Sequence, residues 1–324
     1  MSILQIFIVG LSNRVDLFKK ERVSPDFIHE VMFAVQLLNM DELTNILHDV
    51  SDPKSDNYGN YLTKQEVVNL TSNPVANRKI REYIEQSGAT FTHETDGGDF
   101  VFATGPIKIW EEMFDTQFFI FHHVKSENRP PSQIVRAEEY SVPIDLHEYV
   151  ASVFHTVDMP MVYKGPMISL KEEIPIDLST DAVNGNISSL AVLTIKGYIT
   201  PAVLKAFYSV DNSIGSVDAT QLLYEAYAEY YSPADLLKFQ TNFALLPGTI
   251  YNNANHNSDS QCSTNPDNCL EGSLDIQYIM GMSQTSPTYY TVDTTGGYFS
   301  TYLAQISAMV SPPLVISVRY TIYI

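Results

Sequence analysis

The chain has 324 residues, of which 44% are hydrophobic and 11% aromatic, and a formal net charge of −19. That length implies two domains, each large enough to bury a core without disulfide staples or metals, and a sequence free of low-complexity arrays and fixed-period repeats excludes a disordered chain or a solenoid. The negative charge repels phosphate backbones and anionic lipid, which excludes nucleic acid as a partner, and much of it disappears as pH falls toward the carboxylate pKa range.

The first apolar run, Ile3 to Leu11, is too short to cross a bilayer but has the length of a secretory h-region without a basic n-region. Residues 1–20 therefore read as a signal peptide and leader, with a first strand as the alternative, and no membrane span is expected. Glu30 to Leu37 has the apolar enrichment of a strand, and Met40, Leu43, Ile46, Leu47 and Val50 follow at helical spacing. A turn-rich stretch from Ser51 to Gly59 precedes Thr63, which can cap a helix reaching Leu70, with Glu66 completing a capping box. Ile80, Tyr83 and Ile84 mark a further helix ending at Gly88, and Ala89 to Ala103 reads as a hairpin turning at Asp96-Gly97-Gly98. Pro106 to Phe114 reads as a helix and Phe118 to Val124 as a buried strand. This order fits a ferredoxin-like α+β domain.

Periodicity fades from Pro160 to Ser189 amid Pro, Gly and Asn, which marks a linker, with a boundary near residue 192. Beyond it, Pro201 to Tyr208, Leu222 to Tyr230 and Pro233 to Phe239 read as helices, whereas Thr288 to Val292 and Leu314 to Ile324 read as strands. The second domain is expected to be α/β with a mainly parallel sheet.

Cys262 and Cys269 stand in a polar stretch and suit a small disulfide loop in an oxidising compartment, with two free surface thiols as the alternative. A lone pair at this spacing is not a zinc motif, and neither a metal nor another cofactor is expected in this chain. Asn69-Leu-Thr and Asn186-Ile-Ser are glycosylation sequons if the chain is secreted.

The stretch richest in chemistry is Leu270-Glu-Gly-Ser-Leu-Asp-Ile-Gln-Tyr-Ile-Met. Glu271 and Asp275 are four residues apart, so a helix puts both carboxylates on one face. Leu270, Leu274 and Tyr278 form one apolar stripe, and Ile276, Ile279 and Met280 another. Two partly desolvated carboxyls this close should titrate as a coupled unit with one pKa raised. The commoner reading of such a pair is a solvated helix face.

The same segment resembles the one that carries the catalytic Glu and Asp of the sedolisin family of serine-carboxyl peptidases, which includes tripeptidyl peptidases. Further resemblances run in order: Val50 to Thr63 to the family's prosegment, Thr200-Pro-Ala-Val-Leu-Lys-Ala-Phe-Tyr to the start of the mature enzyme, and Tyr231-Ser-Pro-Ala-Asp-Leu-Leu-Lys-Phe-Gln to a segment of the catalytic domain. The resemblance implies a prosegment over residues 21–160, a linker with a processing site over 161–192, and the N-terminal part of a subtilisin-like peptidase domain over 193–324. It implies that Glu271 is the general base toward a serine and that Asp275 holds Glu271 in position, a carboxylate base suiting work at low pH. It also implies peptide or protein substrates, a prosegment that binds its own catalytic domain, and a secreted or lysosome-like acidic location.

Departures from the family pattern are equally informative. Residues 1–324 contain no counterpart of the Gly-Thr-Ser nucleophile motif, the oxyanion-hole Asp or the calcium site expected of the full-length family. Near the end, Arg319 and Thr321 replace the serine and glycine of the family's Ser-x-Ser-Tyr-Gly strand. The chain as written is therefore expected to be inactive, as a fragment or mistaken gene model of an active peptidase, or as a non-catalytic inhibitor or pseudoenzyme that binds a separate sedolisin. Seven of the eight histidines (His29, His48, His93, His122, His123, His147 and His155) precede the boundary, so acid could loosen the prosegment.

Overall fold

The computed structural model describes residues 3–4, 17–123, 133–159, 199–210, 213–226, 229–252, 255–293 and 299–319. They fall into two compact units, one comprising Met1–Pro160 with Tyr298–Pro312 and the other Met161–Gly297 with Pro313–Ile324. The expected linker and processing region, and Asn186, lie outside the described residues.

The first unit runs β1 (Ile3–Leu4), β2 (Leu17–Arg22), β3 (Ile28–Val35), α1 (Met40–Ser51), α2 (Lys64–Thr71), α3 (Pro74–Gln86), β4 (Thr90–Glu94), β5 (Phe100–Pro106), α4 (Ile107–Phe114), β6 (Phe118–His123), β7 (Gln133–Ala137), β8 (Val142–Pro143) and β9 (Val150–Phe154). Its main sheet has the order β4-β5-β3-β9, antiparallel throughout, which is the split βαβ arrangement of a ferredoxin-like domain. A second antiparallel sheet has the order β2-β6-β7, and β1 pairs with β8.

Local chemistry sets the boundaries. Thr63 accepts the Glu66 N–H while the Glu66 carboxylate accepts the Thr63 N–H at 2.7 Å, the reciprocal capping box expected at the start of α2. Gly88 takes φ +82° after α3, where a left-handed residue closes the helix. Phe33, Ile80, Ile84, Ile107, Trp110, Phe114 and Phe118 are buried in one core, and the Trp110 indole donates to the His29 carbonyl at 3.0 Å. Four strands, β2, β7, β8 and β9, escape the sequence reading. Among them, β2 is Leu-Phe-Lys-Lys-Glu-Arg, exposed at every position after Leu17, as a charged sheet-edge strand is.

The second unit runs α5 (Pro201–Phe207), β10 (Gln221–Ala226), α6 (Pro233–Asn242), β11 (Ile250–Asn252), α7 (Asp259–Thr264), a 3₁₀ turn (Pro266–Asn268), α8 (Leu270–Met282) and β12 (Thr288–Asp293). The chain then forms α9 (Phe299–Ala308), which lies in the first unit, before returning as β13 (Val315–Arg319). The sheet order is β11-β12-β10-β13 and every pairing is parallel. The helix expected from Leu222 to Tyr230 is instead strand β10. Leu222, Leu223 and Tyr224 are all buried, and a strand covered on both faces shows a continuous apolar run rather than alternation.

Within the first unit, α9 rests on one face of the main sheet. Leu303 and Ala304 pack against Met32, Phe100 and Phe102. The Ser307 hydroxyl donates to the Asp99 carboxylate at 2.6 and 2.8 Å, and the Lys64 ammonium donates to the carbonyls of Ser307 and Met309 at 2.6 and 2.7 Å, where the helix leaves its last carbonyls unpaired.

Candidate active site

Both sequence-predicted carboxylates sit on α8, one turn apart on the same side. The helix is anchored at its start by Cys269, which is buried and joined to Cys262 on α7 with the two α-carbons 5.4 Å apart. It is anchored along its length by Ile276 and Met280, which pack with Leu223, Tyr231, Leu236, Tyr290 and Val292. The two expected apolar stripes are unequal. Leu270, Leu274 and Tyr278 are only half-buried, and the Tyr278 hydroxyl donates to the Ile199 carbonyl at 2.5 Å.

Gly272 lies between the two acids and is the point of closest approach. A β-carbon there would fall well inside contact distance of the Tyr290 hydroxyl and 2.7 Å from the Tyr230 carbonyl. Residue 272 must lack a side chain for α8 to sit against β12 and the segment after β10. The Ser232 N–H donates to the Ser273 hydroxyl at 3.3 Å, and Ser232 in turn caps α6.

Burial raises the Asp275 carboxyl from 3.8 to about 6. The sequence reading expected one raised pKa from partial desolvation together with a neighbouring carboxylate, and desolvation is what raises Asp275. Tyr290 is pushed well above its ordinary 10, by burial first and then by the negative charge of Glu225, Glu229 and Asp275. Its hydroxyl donates to the Glu229 carbonyl at 3.3 Å and its ring meets Tyr231 edge-on at 4.9 Å.

Three further buried acids went unnoticed in the sequence: Glu225 and Asp293 near the carboxyl ends of β10 and β12, and Glu229 just beyond β10. The signal was present, because a charge that ends an apolar parallel strand lies at the edge where α/β sheets place their sites. Among the described residues no group of three or more His, Cys, Asp or Glu side chains is arranged to hold a metal, and no helix is long and apolar enough to cross a membrane. Asn69 is exposed on α2, accepting from Gln65 at 2.9 Å, while Thr71 of its sequon is buried and donates to the Val67 carbonyl.

Residues 16–159 match the family described as Pro-kumamolisin, activation domain. A probable tripeptidyl-peptidase of Arthroderma benhamiae is 26% identical over 287 residues, covering 84% of this chain and 44% of that protein. Physarolisin of Physarum polycephalum is 24% identical, covering 97% of this chain and 50% of its own length, and tripeptidyl-peptidase 1 of Dictyostelium discoideum is 26% identical, covering 90% and 51%. The chain thus spans about half the length of these curated relatives. It carries a pro-kumamolisin activation domain and is, over most of its length, a distant homologue of the sedolisin-family tripeptidyl peptidases and of physarolisin.

Proposed function

We propose that this chain is the prosegment and first part of the catalytic domain of a serine-carboxyl peptidase precursor, in which Glu271 is the general base and Asp275 its positioning partner. The supporting observation is the placement of both acids on one face of α8, with Asp275 buried enough to hold its proton up to about pH 6. In acid, a protonated Asp275 can donate a hydrogen bond toward Glu271, leaving Glu271 ionised to accept the proton of an attacking serine hydroxyl. Glu271 would then return that proton to the leaving amine as the peptide C–N bond breaks, and a water would repeat the cycle on the acyl-enzyme. The serine, the oxyanion donors and the residues that would hold the family's calcium ion would come from sequence outside residues 1–324. Peptide substrates, tripeptide release and a secreted or lysosome-like location belong to this same reading.

The test is the complete reading frame, including any codons beyond residue 324, expressed and acidified, with tripeptide release from a peptide with a free amino terminus followed between pH 3 and 7. Glu271→Gln is expected to lower kcat by about 10³-fold or more. Activity unaffected by that change, or no hydrolysis across the range, overturns the reading. If the reading frame ends at residue 324 and the purified chain inhibits a separate sedolisin, the non-catalytic inhibitor is the correct alternative.

A further inference from the structure

Residues 259–268 lead into the helix that carries Glu271, and little apolar packing holds them. Neither α7 nor the 3₁₀ turn that follows it buries a residue, which is the condition for a segment that opens locally. At one end, the Asp259 carboxylate accepts the Ser232 hydroxyl at 2.8 Å and the Ala234 N–H at 3.0 Å. At the other, the Asn268 carbonyl accepts the Tyr230 N–H at 2.8 Å. Between these the tie is covalent, the bond from Cys262 to Cys269.

The start of α8 depends on the same bond. Helices α2, α3, α5, α6 and α7 each begin at a residue whose side chain accepts a first-turn N–H, namely Thr63, Asn73, Thr200, Ser232 and Ser258. By contrast, α8 begins at Cys269, which makes no such cap and whose sulfur is committed to Cys262. The Ser273 N–H donates to the Cys269 carbonyl at 2.9 Å, so this backbone bond of α8 is anchored at a residue positioned by sulfur. Glu271 lies between this uncapped end and Gly272, beyond which Ile276 and Met280 hold the helix in the core.

We infer that Cys262 and Cys269 form a reversible exchange site for a dithiol reductant, and that reduction releases residues 259–268 and frees the end of α8 beside Glu271. The release rests on the geometry of the second unit alone; its bearing on a catalytic base rests on the peptidase reading above.

The two sulfurs are not equivalent. Cys262 is half-buried among exposed residues, whereas Cys269 is buried, so an incoming thiolate reaches the Cys262 sulfur first. Attack there forms a mixed disulfide with Cys262 and expels the Cys269 thiolate, at a helix start whose N–H groups favour negative charge. The second thiol of the reductant, as its thiolate, then attacks the mixed disulfide and releases Cys262. One S–S bond is broken in the chain and one is made in the reductant. Two electrons pass to the chain, and the two protons lost by the reductant's thiols end on Cys262 and Cys269.

The experiment uses the whole chain, with hydrogen exchange of the Tyr230 and Ser273 amides measured at pH 7 before and after treatment with dithiothreitol. The Ser283 amide, which donates to the Ile279 carbonyl at the far end of α8, is the internal reference. Reduction is expected to speed exchange at Tyr230 and Ser273 about 10-fold or more and at Ser283 less than about twofold, with reoxidation restoring the original rates. Unchanged rates at Tyr230 and Ser273, or equal acceleration at all three amides, overturn the release. The double variant Cys262→Ser, Cys269→Ser should exchange like the reduced wild type and ignore dithiothreitol; a response in that variant overturns the assignment to this bond. Glutathione, a monothiol, is expected to leave its adduct on Cys262, and an adduct chiefly on Cys269, or no exchange with the folded chain, overturns the exchange site. None of these readouts uses hydrolysis, so their failure is separate from failure of the peptidase reading.

Discussion

The hydroxyl of Tyr290 fills the space in which residue 272 would carry a side chain, so a strand residue and a helix glycine are fitted to each other across the second unit's core. Gly272→Ala is expected to cost about 1–3 kcal/mol by overpacking, despite the intrinsic preference of helices for alanine. In a Tyr290→Phe background the cost should shrink without vanishing, because the Tyr230 carbonyl remains. Urea unfolding of the four proteins of this cycle measures the coupling.

Asp275 makes stability depend on pH with a definite sign. Its folded pKa, about 6, lies above the ordinary 3.8, so the folded chain keeps a proton that the unfolded chain releases between those values. The carboxyl therefore costs stability above pH 6, and the cost disappears as pH falls below 3.8. Asp275→Asn should stabilise the second unit at pH 7 by about 2 kcal/mol at most, a figure reduced because solvent still reaches part of the group, and should have no effect near pH 3.5. Urea midpoints at the two pH values check both halves.

Trp110 is the chain's single tryptophan, fully buried in the first unit and hydrogen-bonded to His29. Its fluorescence should report unfolding of that unit and stay blind to Gly272→Ala. Trp110→Ala should cost about 3–5 kcal/mol. Trp110→Phe should cost less, about 1–3 kcal/mol, through lost volume and the carbonyl left without its partner.

The bond between Cys262 and Cys269 closes a short loop at the start of the helix that carries Glu271. Chain-entropy arguments give such a loop about 2 kcal/mol. Reduction, or replacement of both residues by serine, should lower the stability of the second unit by that order and leave the Trp110 transition in place.

Much of this molecule was legible from single residues. Thr63 and Glu66 announced α2, Gly88 the end of α3, and Asp96-Gly-Gly the β4–β5 turn, because caps and turns are local chemistry. The spacing of Glu271 and Asp275 placed both on one helix face for the same reason. What failed was long-range in origin. The apolar run in β10 could not be told from a helix until its neighbours on both sides were known, and β2 is held in its sheet by β6 despite a sequence of charges. The burial of Glu225, Glu229 and Asp293, and the extent of desolvation at Asp275, likewise depend on what the tertiary fold brings together.

The first unit is discontinuous in the sequence, since α9, some 140 residues beyond β9, packs on its sheet through Leu303 and Ala304 and is tied there by Asp99 and Lys64. A single backbone cut between residues 160 and 198 therefore divides this unit between two polypeptides instead of severing it from the rest. The two pieces are complementing fragments of one fold: residues 1–160 made alone would bare the face formed by Met32, Phe100 and Phe102, and would recover it only by recapturing the helix from the other piece.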